Sequence, residues 1–210
     1  MTVRRTPRRH CRCDPAKKAR RAGVALLLAA CVLLLTGCAG RLVPPAEVAD
    51  PVDVYLLDHG RHASLVLPHH ESGVVRYSYG DWQWYVEGQR HLLSATAAML
   101  WPTSGALGRR VDEGLALPRE LSRLAPEGVA ESYSLVVERS RARALSRRLD
   151  ARFAAAAPGV ESPTFNLVFV RDPRGYWLAH QSNLVVADWL EELGVEVQGL
   201  PWLSRWRLDP

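Results

Sequence analysis

The segment AHQSNLVVADWLEELG, residues 179–194, places several polar side chains directly before an apolar-periodic helix. A helix N-terminus favours a developing anion and supplies backbone N–H groups, so Ser182 stands where a hydrolase can hold a nucleophile. A serine hydroxyl is weak without a base, and the candidate bases are His180 on the same segment and His62 far upstream. Serine is also among the best helix N-caps, so Ser182, or Asn183 beside it, equally fits a structural role.

Four of the seven histidines lie in HGRHASLVLPHH, residues 59–70. A His-x-x-His spacing and an adjacent pair can bind a metal, but no carboxylate or cysteine stands at a recognisable ligand spacing. Neighbouring histidines on an extended strand would also point to opposite sides. We therefore expect no metal and no cofactor. Of the four histidines (His59, His62, His69 and His70), His62 is the candidate base, because it opens a predicted strand at the lip of a possible cleft.

Aromatic residues are concentrated in YSYGDWQWY, residues 77–85. At a period of two they form two stripes, of which one fits the core and the other could line a groove for a sugar, a peptide or a lipid. Asp81, just after Gly80, could orient a catalytic imidazole, although an aspartate in a turn is common. The predicted groove residues are Tyr79, Trp82, Trp84 and Asn183.

The periodicity of the remaining chain predicts an α+β fold, with an antiparallel sheet and a few packed helices. Residues 165–170 and 175–180 are predicted to form a hairpin that turns at RDPRG. The other predicted strands cover residues 52–58, 63–68, 74–80 and 131–138, with a short one in VEVQG. The predicted helices cover residues 92–101, 140–157 and 183–193.

The first 37 residues have the pattern of an export signal. Residues 1–21 carry nine basic residues and one acid, and an uncharged run follows over residues 22–37. A basic region followed by a short apolar region is typical of a signal peptide, and the run is short for a transmembrane helix. The run ends in LTGC, residues 35–38, which resembles a bacterial lipobox. The resemblance implies cleavage after Gly37 and diacylation of Cys38, which attaches the protein to a membrane.

The lipobox divides the chain into a signal peptide over residues 1–37, a lipidated Cys38 with a tether up to residue 50, and one domain over residues 51–210. Ala39 and Gly40 follow Cys38, and neither is aspartate. By resemblance to enterobacterial sorting, this implies a periplasm-facing protein of the outer membrane.

Charge and cysteine content exclude several functions for the mature part. The whole chain has a formal net charge of +5, but residues 1–37 contribute +8, so the mature part has 18 arginines against 21 acidic residues. A basic balance that belongs to the signal peptide gives no reason to expect nucleic-acid binding. Cys38 is the only cysteine after residue 37, which excludes a disulfide, a thiolate metal site and a cysteine hydrolase.

Taken together, these segments resemble a family of small bacterial conserved hypothetical proteins, some of which carry annotations drawn from nearby urease genes. The resemblance covers residues 52–205 and rests on HGRHASLVLP, YSYGDWQWY, MLWPTSGAL, SLVVERSRARALSRRL and YWLAHQSNLVVADWLEELGVEV. The family's layout is similar to that of circularly permuted papain-like hydrolases, such as NlpC-type cell-wall peptidases and lecithin–retinol acyltransferase-like enzymes. The resemblance implies that His62 matches the early histidine, Ser182 the late cysteine and Asp81 a third member.

The chain departs from the family pattern at the nucleophile, where Ser182 stands in place of cysteine and Val185 in place of tryptophan. A thiol is partly ionised near neutrality, whereas serine must lose its proton during attack, so this exchange usually abolishes activity. We therefore expect a degenerate, non-catalytic papain-like domain that binds an envelope ligand, either peptidoglycan or a lipid. The alternatives are a serine-dependent hydrolase or acyltransferase that uses Ser182, His62 and Asp81, and a structural lipoprotein in which Ser182 is a cap.

Overall fold

The computed structural model describes residues 39–69, 72–89, 101–115 and 117–209. Within these ranges the chain forms ten strands, three α-helices and one 3-10 helix at Leu121–Leu124. The strands are β1 (Gly40–Val43), β2 (Pro51–Asp58), β3 (Ala63–Pro68), β4 (Val74–Asp81), β5 (Thr103–Asp112), β6 (Glu131–Glu138), β7 (Val160–Ser162), β8 (Leu167–Tyr176), β9 (Glu196–Gln198) and β10 (Trp206–Leu208). The α-helices are α1 (Trp82–Tyr85), α2 (Arg139–Ala155) and α3 (Ser182–Glu192).

Seven strands form one antiparallel sheet in the order β6-β2-β3-β4-β5-β8-β7. Three more form a small sheet in the order β10-β1-β9, in which β1 pairs parallel to β10 and antiparallel to β9. Mostly consecutive antiparallel strands with helices packed beside them confirm the predicted α+β class.

Alternation along the strands divides the core between the two faces of the large sheet. On β3, Ala63, Leu65 and Leu67 belong to the main core, which includes buried residues of α2 and α3. Val66 points to the opposite face and packs with the 3-10 helix. A third cluster on this opposite face joins α1 to Phe165 and the start of β8. The large sheet thus lies between two sets of packed side chains. Candidate site residues can meet only if their side chains lie on the same face.

The N-terminal segment, predicted as a tether up to residue 50, is partly folded. Gly40–Val43 forms the central strand of the small sheet, and the Leu42 side chain is fully buried in the main core. Arg41 lies on the same strand and forms an ion pair with Asp209 near the C-terminus. The end of the predicted tether is also fixed, since the Ala49 and Asp50 N–H groups donate to the Glu138 carboxylate at 3.0 and 3.2 Å.

The predicted hairpin between residues 165–170 and 175–180 is wrong, because RDPRG lies within the single strand β8. The pairing of β8 with β5 skips Pro173 and Arg174, which form a bulge. Proline lacks a backbone donor, so a bulge accommodates it within a sheet. The Asp172 carboxylate accepts a hydrogen bond from the Arg174 N–H at 2.9 Å, which satisfies a donor that the bulge frees from the ladder.

The other sequence predictions have mixed outcomes. The strands predicted from residues 52, 63, 74 and 131, the helices predicted from residues 140 and 183, and the short strand in VEVQG are confirmed within a few residues. The helix predicted over residues 92–101 lies, except for Trp101, outside the described residues, as do Cys38 and the signal segment. None of the helices in the described ranges has the length and apolarity needed to cross a bilayer.

Replacing Leu42 with alanine tests whether β1 belongs to the cooperative fold. The side chain is fully buried, so Leu42→Ala should lower the free energy of unfolding by about 2–5 kcal/mol. The measurement is urea unfolding of the purified chain, followed by tryptophan fluorescence. Val136→Ala is the control, because this β6 side chain is 45 % exposed and its loss should cost less than about 1 kcal/mol. Equal small effects of both changes would show that β1 is a dispensable addition.

Candidate functional site

Ser182 is the first residue of α3, and its side chain is almost completely buried. Its hydroxyl donates to the Gln181 side-chain oxygen at 3.3 Å, and the same oxygen accepts the Asn183 N–H at 2.8 Å. The helix cap is therefore Gln181, one residue before the predicted Ser182 or Asn183. Because Gln181 satisfies the first orphan donor of the helix, Ser182 is not needed as a cap.

Asn183 fixes the start of α3 to two distant segments of the chain. Its buried side-chain amide donates to the backbone carbonyl of Arg61 at 3.1 Å and to that of Trp202 at 3.4 Å. The first of these bonds brings α3 to the turn before β3, where His62 lies. The hydrogen bond from Asn183 thus places the segment that holds His62 beside the segment that holds Ser182.

The His62 side chain nevertheless points away from Ser182. Ala63 faces α2 and α3, so alternation directs the preceding side chain to the opposite face of the sheet. There the His62 ring stacks on His59 with centroids 4.7 Å apart, and meets the edge of Tyr85 at 5.6 Å. Its Nε2 atom is buried and has no hydrogen-bond partner. The structure therefore shows no hydrogen bond between His62 and Ser182.

Asp81 orients a helix rather than an imidazole. Its carboxylate accepts the Trp84 N–H at 2.8 Å as the N-cap of α1, and it also accepts the Thr103 hydroxyl. No hydrogen bond joins His62, Ser182 and Asp81 to one another, so the three residues do not form a connected triad.

Tyr176 is the side chain that does approach Ser182. Burial and the nearby Asp81 carboxylate raise the pKa of Tyr176 to about 12, and a hydrogen bond with Ser182 opposes this rise. A phenol with so high a pKa is protonated at neutral pH, so it is not a general base for the serine hydroxyl. Nothing in the local sequence distinguishes Tyr176, because it directly follows RDPRG, which predicts a turn.

The predicted groove residues do not line one groove. Tyr79 is fully buried on the helical side of the sheet and donates to the Arg174 carbonyl at 2.9 Å. Trp82 and Trp84 belong to or pack on the cluster on the opposite face, with the Arg171 guanidinium 4.3 Å above the Trp82 ring. Both aromatic stripes are therefore mainly core.

A buried polar cluster lies on the face opposite to α2 and α3. It includes His59 and His62, the two histidines of residues 59–62, which we call the HGRH turn. Arg76 donates through Nε to the Ser64 hydroxyl at 2.9 Å, and Ser64 lies 2.9 Å from His59 Nε2. His59 Nδ1 lies 2.6 Å from the Gly128 carbonyl, so it carries the proton, and Nε2 accepts from Ser64. Arg76 also forms a buried ion pair with Glu127. The cluster is thus a nearly complete hydrogen-bond network.

The ionisation of this cluster follows from its burial. Desolvation is the main effect that lowers the pKa of His59 to about 4 and that of His62 to about 3. The positive charge of Arg76 adds to the shift of both groups. Both rings are therefore neutral at pH 7, and His62 has a very weak affinity for the proton that a general base must accept.

The same cluster is the set of described residues that could hold a metal ion, since His59, His62 and Glu127 offer ligand atoms within 4.8 Å of one another. The sequence prediction that no carboxylate accompanies these histidines missed Glu127, because it is distant along the chain. Two features oppose a cation here. Both ring nitrogens of His59 have hydrogen-bond partners, and the Arg76 guanidinium already neutralises Glu127. The residues present fit an internal ion pair better than a metal centre.

An open groove lies at the other end of the large sheet. It has a volume of about 510 Å³ and lies beside α2. Arg139, Arg143 and Arg147 line it at intervals of four residues, which places them on one face of the helix. The remaining lining residues are Val52, Pro68, His69, Ala142, Ser146 and Asp150. The strand β3 connects the two regions, because His62 directly precedes β3 and Pro68 ends it at the groove. The six residues of β3 place the groove about 20 Å from the HGRH turn.

The depressed pKa values predict how stability depends on pH. The unfolded chain binds protons on His59 and His62 near pH 6.5, and the folded chain binds them only near pH 4 and 3. The free energy of unfolding should therefore be fully retained above pH 6.5 and fall as the pH decreases below it. Each group should contribute a slope of about 1.4 kcal/mol per pH unit in its window.

His62→Phe isolates one of these contributions, since it keeps an aromatic ring against Tyr85. Between pH 6.5 and 4 the free energy of unfolding of the variant should fall less steeply than that of the parent, by about 1.4 kcal/mol per pH unit. The measurement is urea unfolding at a series of pH values, with the parent chain as reference at pH 7.5. Identical slopes would contradict the lowered pKa of His62.

No family model matches this chain, and neither a curated protein nor a solved structure matches it. Its function must therefore be inferred from the fold and from the geometry described above.

Proposed function

We propose that this protein is a cell-envelope lipoprotein, anchored through Cys38 in the outer membrane and facing the periplasm, whose domain binds an envelope ligand without hydrolysing it. In this proposal the domain has a permuted papain-like layout, with the turn that holds His62 early in the chain and the helix that begins at Ser182 late. The antiparallel sheet and the packing of α3 against β3 and β4 support this layout.

One observation carries the non-catalytic assignment: the Ser182 hydroxyl donates to Gln181, and no imidazole within the described ranges accepts from it. Of the two candidate bases, His62 points to the other face of the sheet and has a pKa of about 3, and His180 has its Nδ1 atom 2.8 Å from the Gly175 carbonyl. Without a base, a serine hydroxyl remains a poor nucleophile at neutral pH. The burial of Ser182 further limits access of a substrate to its oxygen.

The reactivity of a thiol at position 182 tests this assignment. In acylated Ser182→Cys, Cys38 is blocked, so the new thiol is the only free one. We expect its pKa, taken from the alkylation rate against pH, to lie at or above the ordinary value of about 8.5, because burial disfavours the thiolate.

Two further variants serve as references for this measurement. Ser132→Cys on β6 supplies an exposed thiol with ordinary behaviour. His62→Ala in the Ser182→Cys background should leave the thiol pKa unchanged. A strongly lowered pKa that returns to normal in His62→Ala would instead establish a nucleophile–base pair and favour the serine-dependent hydrolase.

The groove beside α2 is the best candidate for the ligand. Arg143 and Arg147 are exposed and form no ion pair with any residue in the described ranges, whereas Arg139 is paired with Asp50. Two unpaired guanidinium groups about 6 Å apart along a helix suit a ligand with several carboxylates. We propose the peptide stems of peptidoglycan as this ligand.

Charge reversal in the groove tests the ligand assignment. Arg143→Glu/Arg147→Glu should weaken binding of soluble peptidoglycan fragments by about tenfold or more, equivalent to ~1.4 kcal/mol. The measurement is calorimetric titration of the detergent-solubilised full chain at low salt. The control is Arg123→Glu/Arg171→Glu, which makes the same change in net charge at exposed positions outside the groove. An equal loss of affinity in both double variants would show that the effect comes from net charge and not from the groove.

A further inference from the structure

The point where the chain enters the domain is held by one loop, Gly199–Arg205. The Gly40 N–H donates to the Arg205 carbonyl at 2.8 Å, which fixes one end of the loop. At the other end Gly199 has a φ of +86°, and a β-carbon there would come within 2.5 Å of the Ala39 carbonyl oxygen. Only glycine allows this close approach in a left-handed conformation. Ala39 is therefore held against the loop.

The surface around this entry point is apolar and exposed. We call it the apolar patch, and its members are large side chains that are 36–52 % exposed: Trp177, Leu178, Leu200, Trp202 and Leu203. Water-exposed tryptophan and leucine grouped in this way are costly in a soluble protein and typical of an interaction surface.

The patch comes from two chain segments that meet at the N-terminus of α3. The Trp202 carbonyl accepts hydrogen bonds from the side-chain amides of Gln181 and Asn183, both at 3.4 Å. Trp177 and Leu178 lie in the tight turn that ends at His180, directly before Gln181. The buried Ser204 hydroxyl also donates to Asp58 at 2.6 Å, which fixes the loop to the end of β2. The patch is thus built on anchored backbone.

We propose that the apolar patch docks on the membrane leaflet that holds the acyl chains of Cys38. This inference depends on the lipidation that belongs to the proposed function. Cys38 is bonded directly to Ala39, and consecutive Cα atoms are about 3.8 Å apart, so no tether separates the lipid from the loop. The entry point of the chain must then lie at the bilayer surface, and the exposed side chains beside it lie there too.

The chemistry of the patch fits a lipid interface. Tryptophan has an apolar ring with one polar N–H and is enriched at the level of lipid headgroups, while leucine enters the acyl region. Arg205 and Arg207 are exposed close to the patch and can contact lipid phosphates. Docking would remove the patch from water and fix the orientation of the domain, which the acyl chains alone do not do.

Leu203 and Val160 form a matched pair for testing this proposal. They are 46 % and 44 % exposed, but Val160 lies on β7, five strands from β2. At the usual strand spacing this is about 24 Å from the strand to which the loop is fixed. Leu203→Cys and Val160→Cys each supply one free thiol in the acylated full-length protein, where it can be labelled with an environment-sensitive fluorophore.

The labelled proteins are reconstituted into vesicles of phosphatidylethanolamine and phosphatidylglycerol that contain nitroxide lipids. We expect several-fold stronger quenching and a blue-shifted emission at position 203 relative to position 160, and the same at Leu200→Cys. Equal quenching at positions 203 and 160 would overturn the proposal, as would a shielded but unquenched label at position 203, which indicates a second protein on the patch.

Mass spectrometry of the same samples separates this proposal from the one on which it depends. An acylated Cys38 with an unquenched label at position 203 would overturn membrane docking alone. An unmodified Cys38 would overturn the lipid anchor, and the docking proposal with it. Neither result affects the binding of peptidoglycan fragments in the groove, which is measured in detergent.

Discussion

The buried guanidinium of Arg76 is the constraint on which the opposite face of the sheet depends. It is 1 % exposed, donates to the Leu124 carbonyl at 2.7 Å and the Phe165 carbonyl at 3.2 Å, and forms an ion pair with Glu127. One side chain on β4 thereby joins β3, the 3-10 helix and the loop before β8. A buried charge of this kind is tolerated only when every donor has a partner, so these segments must keep their positions relative to one another.

This network also decides the chemistry of the HGRH turn. Burial, together with the positive charge of Arg76, lowers the pKa of His59 and keeps this ring neutral, and the His59 ring in turn stacks on His62. His62 is therefore part of a dry aromatic and polar layer on the face opposite to α3. In a papain-like enzyme the early histidine must instead face the helix that carries the nucleophile. The direction of the His62 ring agrees with the proposal that the domain does not catalyse hydrolysis, since no imidazole in the described residues accepts a proton from the Ser182 hydroxyl.

The elements with strong local signals could be predicted, and those set by tertiary contacts could not. β-Branched and aromatic residues before a glycine turn located β2, alternation located β4, and helical periodicity located α2 and α3. The residues around Pro173 are typical of a turn, so the local sequence predicts one. Only the pairing with β5 shows that the strand continues through them. The burial of Leu42 depends on β9 and β10, which are far along the chain. The packing of the His62 ring against Tyr85 and Phe165 could not be predicted, because no spacing connects these residues to His62.

The position of β1 has a geometric consequence for a lipid-anchored protein. A long flexible linker would let the domain move over a wide range of distances from the membrane. A strand that begins at Gly40 leaves almost no linker after Cys38. The arginine groove lies about 20 Å of strand from the HGRH turn, at the opposite end of the sheet from the chain's entry. In the proposed anchored state the sheet would act as a spacer, and the length of its strands would limit the height of the groove above the bilayer. Such a protein would discriminate among targets by their distance from the membrane as well as by their chemistry.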